Sequence, residues 1–188
     1  MTSDMRETIL AAARPTAQAH GYNGLSFREL AKEVGIKSAS IHYHFPTKGD
    51  LGAALARRYW EDAKAAFERL WEEFPDATVC LRKYTDVFRL ALQNENRMCM
   101  CGFMAAEFHD LPNAVKVEVQ AFADVNVAWL AQVLSSMEAF QDPGIARARA
   151  LAIYAAISGA QLTARSRADI SVYDSIVETY RLAGLIPA

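Results

Sequence analysis

The sequence predicts an all-α chain: a three-helix N-terminal head containing a helix-turn-helix, followed by a larger antiparallel helical bundle, about nine helices in all. Three observations predict it. Apolar residues recur at helical spacing in nearly every segment, with no strand-period alternation and no internal repeat. Proline and glycine breakers fall between those segments. The hydrophobic fraction of 52% in a chain of 188 residues supports a substantial core and excludes a disordered chain.

The elements follow in order. Met5, Ile9, Ala12 and Ala13 begin an amphipathic helix that runs to about His20, where Gly21 is placed to stop it. Pro15 lies inside it and is expected to kink or split it. Ser26 and Glu29 form an S-x-x-E capping box for a second helix, with Leu25 and Leu30 at the positions of a hydrophobic staple. Gly35 ends that helix and Ile36 turns back toward the core. A third, short helix begins near Lys37 or Ser38 and ends near His44, because Phe45 precedes Pro46 and is pushed out of the α region. A fourth runs from Lys48 to about Glu73, with Leu51, Leu55, Tyr59 and Phe67 on its apolar side, and Pro75 breaks it. Further helices are expected at about 76–95, 101–110, 113–139, 144–167 and 170–184. The predicted organisation is a head at residues 4–64, its helix-turn-helix at 26–45, and a second domain at 65–188.

Charge is unevenly placed. Residues 1–58 hold eight Lys and Arg against five Asp and Glu, and the remainder holds twelve against seventeen. A basic head on an acidic body points to an anion as the head's partner. The opening residues MTSDMRETIL have no apolar h-region, and no apolar run reaches the ~18 residues of a membrane span, so neither an export signal nor a membrane partner is expected. Three cysteines without an export signal lead to the expectation of reduced thiols in the cytoplasm.

The stretch GIKSASIHYHFPTKGDL, residues 35–51, carries the most chemistry. Two short helices joined by a glycine turn make a helix-turn-helix, whose second helix enters the major groove of DNA. Ser38 and Ser40 supply hydroxyls for phosphates or bases, and His42 and Tyr43 are flat and amphipathic. Lys48 opens the next helix, where free N–H groups favour an anion. Ile41 and Phe45, four apart, face the other way. A bare three-helix packing unit with surface histidines is the competing reading of the same pattern.

SFRELAKEVGIKSASIHYHFPTKGDL resembles the helix-turn-helix of TetR-family transcriptional repressors, with one-to-one spacing over residues 26–51 of the pattern T-x-R-D-I-A-x-x-A-G-V-S-K-G-T-L-Y-H-Y-F-x-S-K-E-x-L. The resemblance implies a homodimer that binds a near-palindromic double-stranded operator and is released by a small-molecule effector, with no cofactor. Carried over by position, Arg28 contacts DNA from the supporting helix, Lys37, Ser38, Ala39 and Ser40 begin the reading helix, His42 and Tyr43 stand where the family has Tyr and His, and Lys48 is the phosphate-clamping lysine. The departures at Lys37-Ser38-Ala39 and at His42-Tyr43 concern which bases are read.

The segment Met98-Cys99-Met100-Cys101-Gly102 has three readings. As a metal site, Cys99 and Cys101 with His109 fall short of a tetrahedral set. As an electrophile or redox sensor, a cysteine at a helix N-terminus has a lowered pKa. As core, both thiols are small apolar groups beside a pocket. The pocket candidates are Tyr84, Phe88, Cys99, Cys101, Phe103, Met104, Glu107, Phe108, Phe122, Asn126, Trp129 and Gln161, apolar and aromatic at helical spacing with a few polar groups; ordinary core is the alternative for each stripe. The alanine-rich stretch at 145–165 permits close helix approach and, with 170–184, resembles the family's dimerisation pair, tight packing within one subunit being the alternative. An enzyme is not expected: a thiol enzyme using Cys99 or Cys101 with His109 is the remote rival, and no Ser/His/Asp order, phosphate loop or metal set supports one. A protein-binding adaptor is a further rival.

Overall fold

The computed structural model describes residues 2–187, with side chains from Met5 onward. The described residues form nine α-helices and one 3-10 turn, without strands: α1 Thr2–His20, α2 Phe27–Val34, α3 Ser38–His44, α4 Lys48–Glu73, α5 Ala77–Gln93, α6 Met100–Ala106, α7 Asn113–Ser135, the 3-10 turn Glu138–Phe140, α8 Pro143–Arg167 and α9 Ile170–Leu182.

The chain separates into two compact units, residues 1–60 with 99–122, and residues 61–98 with 123–188. In the first unit, α1, α2 and α3 pack around Ile9, Leu10, Ala13, Leu25, Leu30, Ile41, Phe45, Leu51 and Leu55, and α1 also packs on α6. Burying such side chains contributes about 1.5–3 kcal/mol each. The second unit packs α5, α8 and α9 together. Its core holds Tyr84, Phe88, Leu130, Ile153, Ile157, Tyr173 and Val177.

Local chemistry explains the boundaries. Asp76, Asp142 and Asp169 cap α5, α8 and α9, each carboxylate accepting a backbone N–H of the first turn at 2.9 Å. Ala168 ends α8 in the left-handed region at φ 50°. Of the kink or split expected at Pro15, the split does not occur: α1 runs through it to His20. The buried face of Ile9, Leu10, Ala13 and Ala17 offsets the lost hydrogen bond. Two helices are shorter than the apolar pattern predicts. α6 stops at Ala106, because the next residue, Glu107, turns its side chain to another segment. α7 stops at Ser135, where the Ser135 and Ser136 hydroxyls donate to the Ala131 and Val133 carbonyls and compete with the backbone for them. No helix among the described residues is long and apolar enough to cross a membrane.

Candidate nucleic-acid interface

The head is built on two local motifs. At the start of α2, Ser26 Oγ accepts the Glu29 N–H at 3.4 Å. The expected capping box forms only this half, because the Glu29 carboxylate pairs with Lys32 Nζ at 3.0 Å. At the end of α2, Gly35 adopts φ 75°. The Ile36 N–H donates to the Ala31 carbonyl at 2.9 Å and the Gly35 N–H to the Lys32 carbonyl at 3.2 Å. That is a Schellman turn, and it requires the left-handed glycine.

The turn delivers α3 with two distinct faces. Ile41 and Phe45 are fully buried, while Ser38, Ala39, His42 and Tyr43 are exposed and Tyr43 keeps 75% of its surface free. The His42 ring packs edge-on against Phe27 of α2 at 4.6 Å. Arg28 and Lys37 are exposed and Ser40 half-buried.

Lys48 is more constrained than its sequence position implies. Its Nζ donates to the Asn23 carbonyl at 3.1 Å and stands over the Tyr22 ring at 4.7 Å. The N-terminus of α4 carries its own cap. The Thr47 N–H donates to Asp50 Oδ2 at 2.9 Å and the Asp50 N–H to Thr47 Oγ1 at 3.1 Å, a reciprocal cap that already places a carboxylate there.

A family model of bacterial regulatory proteins, tetR family, matches residues 9–55. A solved transcriptional regulator of the TetR family from Agrobacterium tumefaciens is 32% identical, the match covers 100% of both chains, and the TM-score is 0.89. The chain belongs to the TetR family. Two curated relatives match over part of the chain: the HTH-type transcriptional regulator LmrA of Bacillus subtilis, 44% identical over 43 residues, and the HTH-type transcriptional repressor AcnR of Corynebacterium diphtheriae, 43% identical over 58 residues. Those matches cover 23% and 31% of this chain and span only 23% and 29% of the two relatives. As a TetR-family regulator the protein is a DNA-binding protein of transcription regulation, and α2 and α3 are its helix-turn-helix.

The twelve pocket candidates of this TetR-family chain fall into two sets, one in each compact unit. In the second unit, the Trp129 ring stacks on Phe67 at 4.8 Å and on Tyr84 at 5.8 Å, and Phe88 lies 5.3 Å from Tyr84. The Tyr84 hydroxyl donates to Asn126 Oδ1 at 3.0 Å, and Gln161 Nε2 donates to the Phe88 carbonyl at 2.8 Å. The Trp129 Nε1 is buried without a hydrogen-bond partner among the described residues.

In the first unit, Cys99, Cys101, Met104 and Phe122 are buried, Phe103 is half-buried and Phe108 is exposed. Phe122 lies 5.3 Å from the Tyr59 ring. Glu107 is half-buried, and both its oxygens accept from backbone N–H groups of Tyr22 and Asn23, so it does not stand ready for a ligand. The expected lowering of the thiol pKa is reversed: burial pushes both Cys99 and Cys101 up, and it outweighs the neighbouring N–H groups around Cys99. Burial also raises the Tyr59 hydroxyl well above its ordinary value, with Cys99 and Cys101 adding to the effect. His109 sits on the surface, edge-on to Phe108 at 5.8 Å, while the thiols are buried. No group of three or more His, Cys, Asp and Glu among the described residues is placed to hold a metal ion.

Sequence reasoning missed one further group. Glu118 of α7 is buried, and accepts from Arg57 Nε at 3.1 Å and from Trp60 Nε1 at 2.8 Å. The Arg57 guanidinium, ahead of the Trp60 N–H, holds this carboxyl below its ordinary value. The available signal was a glutamate set between Val117 and Val119.

Proposed function

We propose that the protein is a homodimeric repressor: α3 of each subunit reads one half of a near-palindromic operator, and a small-molecule effector bound in the body releases it. The proposed functional division is residues 4–64 for DNA binding and 65–188 for effector binding and dimerisation. Arg28, Lys37, Ser38, Ala39, Ser40, His42, Tyr43 and Lys48 are the proposed DNA contacts. The observation that carries the reading is the two-faced α3, with Ile41 and Phe45 buried beneath an exposed Tyr43 and His42.

Dimerisation is supported by α8. One face, Ala146, Ala150, Ile153, Ile157, Ala160 and Ala164, is buried within the subunit. The opposite face leaves Ala148, Leu151, Ala152, Ala155, Gly159 and Leu162 exposed, small residues flanked by leucines at helical spacing. Such a stripe allows close helix approach, and two half-sites one helical turn apart, roughly 34–36 Å, require a fixed pair of reading helices.

The effector is proposed to meet the cluster of Phe67, Tyr84, Trp129 and Asn126. Packed aromatic rings with a buried Trp129 N–H in need of an acceptor would suit an apolar, planar molecule carrying a carbonyl or similar oxygen. A ligand that favours a state with altered spacing of the reading helices shifts the population off DNA.

Selection from a pool of random duplexes, repeated at raised salt, tests the proposal. Enrichment of a near-palindrome is the expected outcome. Weak binding without sequence enrichment, abolished by salt, counts against a base-reading head.

A further inference from the structure

The turn Gly21-Tyr22-Asn23-Gly24 joins α1 to α2 and so sets where the helix-turn-helix begins. Its local bonds satisfy Gly21, whose N–H donates to the Ala17 carbonyl at 2.9 Å, and Gly24, whose N–H donates to the His20 carbonyl at 3.3 Å. The N–H groups of Tyr22 and Asn23 are met from a segment more than eighty residues away. Glu107, the residue that ends α6, accepts the Tyr22 N–H at 2.6 Å on Oε2 and the Asn23 N–H at 3.0 Å on Oε1. Asp110 accepts the Asn23 side-chain amide at 3.2 Å. From α4, Lys48 holds the Asn23 carbonyl at 3.1 Å.

The fit is tight as well as bonded. Gly21 sits at φ 69°, and a Cβ there would lie 2.3 Å from Glu107 Oε2 and 2.7 Å from the Phe103 ring. A Cβ on Gly52 would lie 2.7 Å from the Tyr22 ring and 3.1 Å from Val115. Two glycines therefore mark where α6 and α4 close on the turn.

From this geometry we infer that Glu107 is a positioning residue for DNA reading. Its carboxylate fixes the α1–α2 turn, and through Leu25 and the Ser26 cap it fixes the entry of α2 and the seat of α3. The segment 99–122 is thereby part of the DNA-reading apparatus and not only of the body. The inference rests on the proposed operator-reading role, and goes beyond it by assigning Glu107 to the head in place of the effector pocket.

The test compares wild type, Glu107→Gln and Glu107→Ala, with operator affinity measured on the selected duplex and on a random one, and amide exchange measured residue by residue. The expected result for Glu107→Ala is about tenfold weaker operator binding, an unchanged affinity for random duplex, and faster exchange at Tyr22, Asn23 and Ile41 while Tyr84 and Ile153 stay protected. Glu107→Gln, which keeps one acceptor oxygen but turns an amide NH2 toward the other N–H, recovers only part of the operator affinity. Wild-type affinity and exchange in Glu107→Ala overturn the inference, and so does an equal loss of protection across the whole chain, which marks a merely structural role. Failure of the wild type to select any duplex overturns the operator reading instead, and the exchange arm still decides whether Glu107 seats α3.

Discussion

Lys48 Nζ donates to the backbone carbonyl of Asn23 at 3.1 Å, so the lysine that the family resemblance assigns to a DNA phosphate also holds the turn before α2. The two roles separate experimentally. Lys48→Ala is expected to lower stability by about 1–2 kcal/mol, because it deletes the charge-assisted bond and the packing on Tyr22. If Lys48 also meets phosphate, the slope of log affinity against log salt becomes shallower by about 0.9 for the one phosphate no longer neutralised. A lower melting temperature with an unchanged salt slope confines Lys48 to the turn.

Replacing His42 or Tyr43 by alanine removes exposed side chains and is expected to change stability by less than about 0.5 kcal/mol. The effect belongs to recognition: preference for the selected operator over random duplex falls by roughly 1–3 kcal/mol for each base edge that goes unread. Equal weakening on both duplexes assigns these residues to the backbone instead.

Glu118 links stability to pH. Its folded pKa is depressed by Arg57 and Trp60 below the ordinary value near 4.5, so its contribution is present above that value and is lost as pH falls through the lower folded pKa. Glu118→Gln is expected to cost about 1–3 kcal/mol near neutral pH and to flatten the acid limb of a melting-temperature profile. A variant that melts like wild type both at neutral pH and in acid rules out this linkage.

The exposed stripe of α8 makes a further prediction. Leu151→Glu places a charge on a face with Ala148, Ala155 and Gly159 beside it and leaves the buried face of the helix untouched. Sedimentation is expected to show the wild type as a dimer and the variant shifted to monomer, with unaltered helix content. A variant that remains dimeric moves the interface elsewhere.

The thiols of Cys80, Cys99 and Cys101 are buried, and burial raises the pKa of each. Native protein is therefore expected to react with a thiol reagent in mild alkali far more slowly than unfolded protein. Labelling of Cys99 or Cys101 at the rate of an open thiol restores the sensor reading.

The head was legible in the sequence because its signals are short-range. Ser26 before Glu29, Gly35 after α2 and Phe45 before Pro46 each act within a few residues, and each falls where the structure bounds a helix. The two faces of α3 followed from the four-residue spacing of Ile41 and Phe45. Long-range polar chemistry left no such trace. Glu107 read as a pocket residue because its partners are backbone N–H groups at Tyr22 and Asn23, which have no residue type to betray them. The grouping of 99–122 with the first sixty residues is hidden for the same reason. At Cys99 a valid local rule yielded to a larger effect, because desolvation outweighs the helix N-terminus.

The most direct measurement is a hydroxyl-radical footprint of the protein on its selected duplex. A dimeric reader protects two patches related by a two-fold axis and centred about 10–10.5 base pairs apart, one helical turn, or a multiple of that spacing. A single protected patch, or protection that slides along the duplex without register, contradicts it.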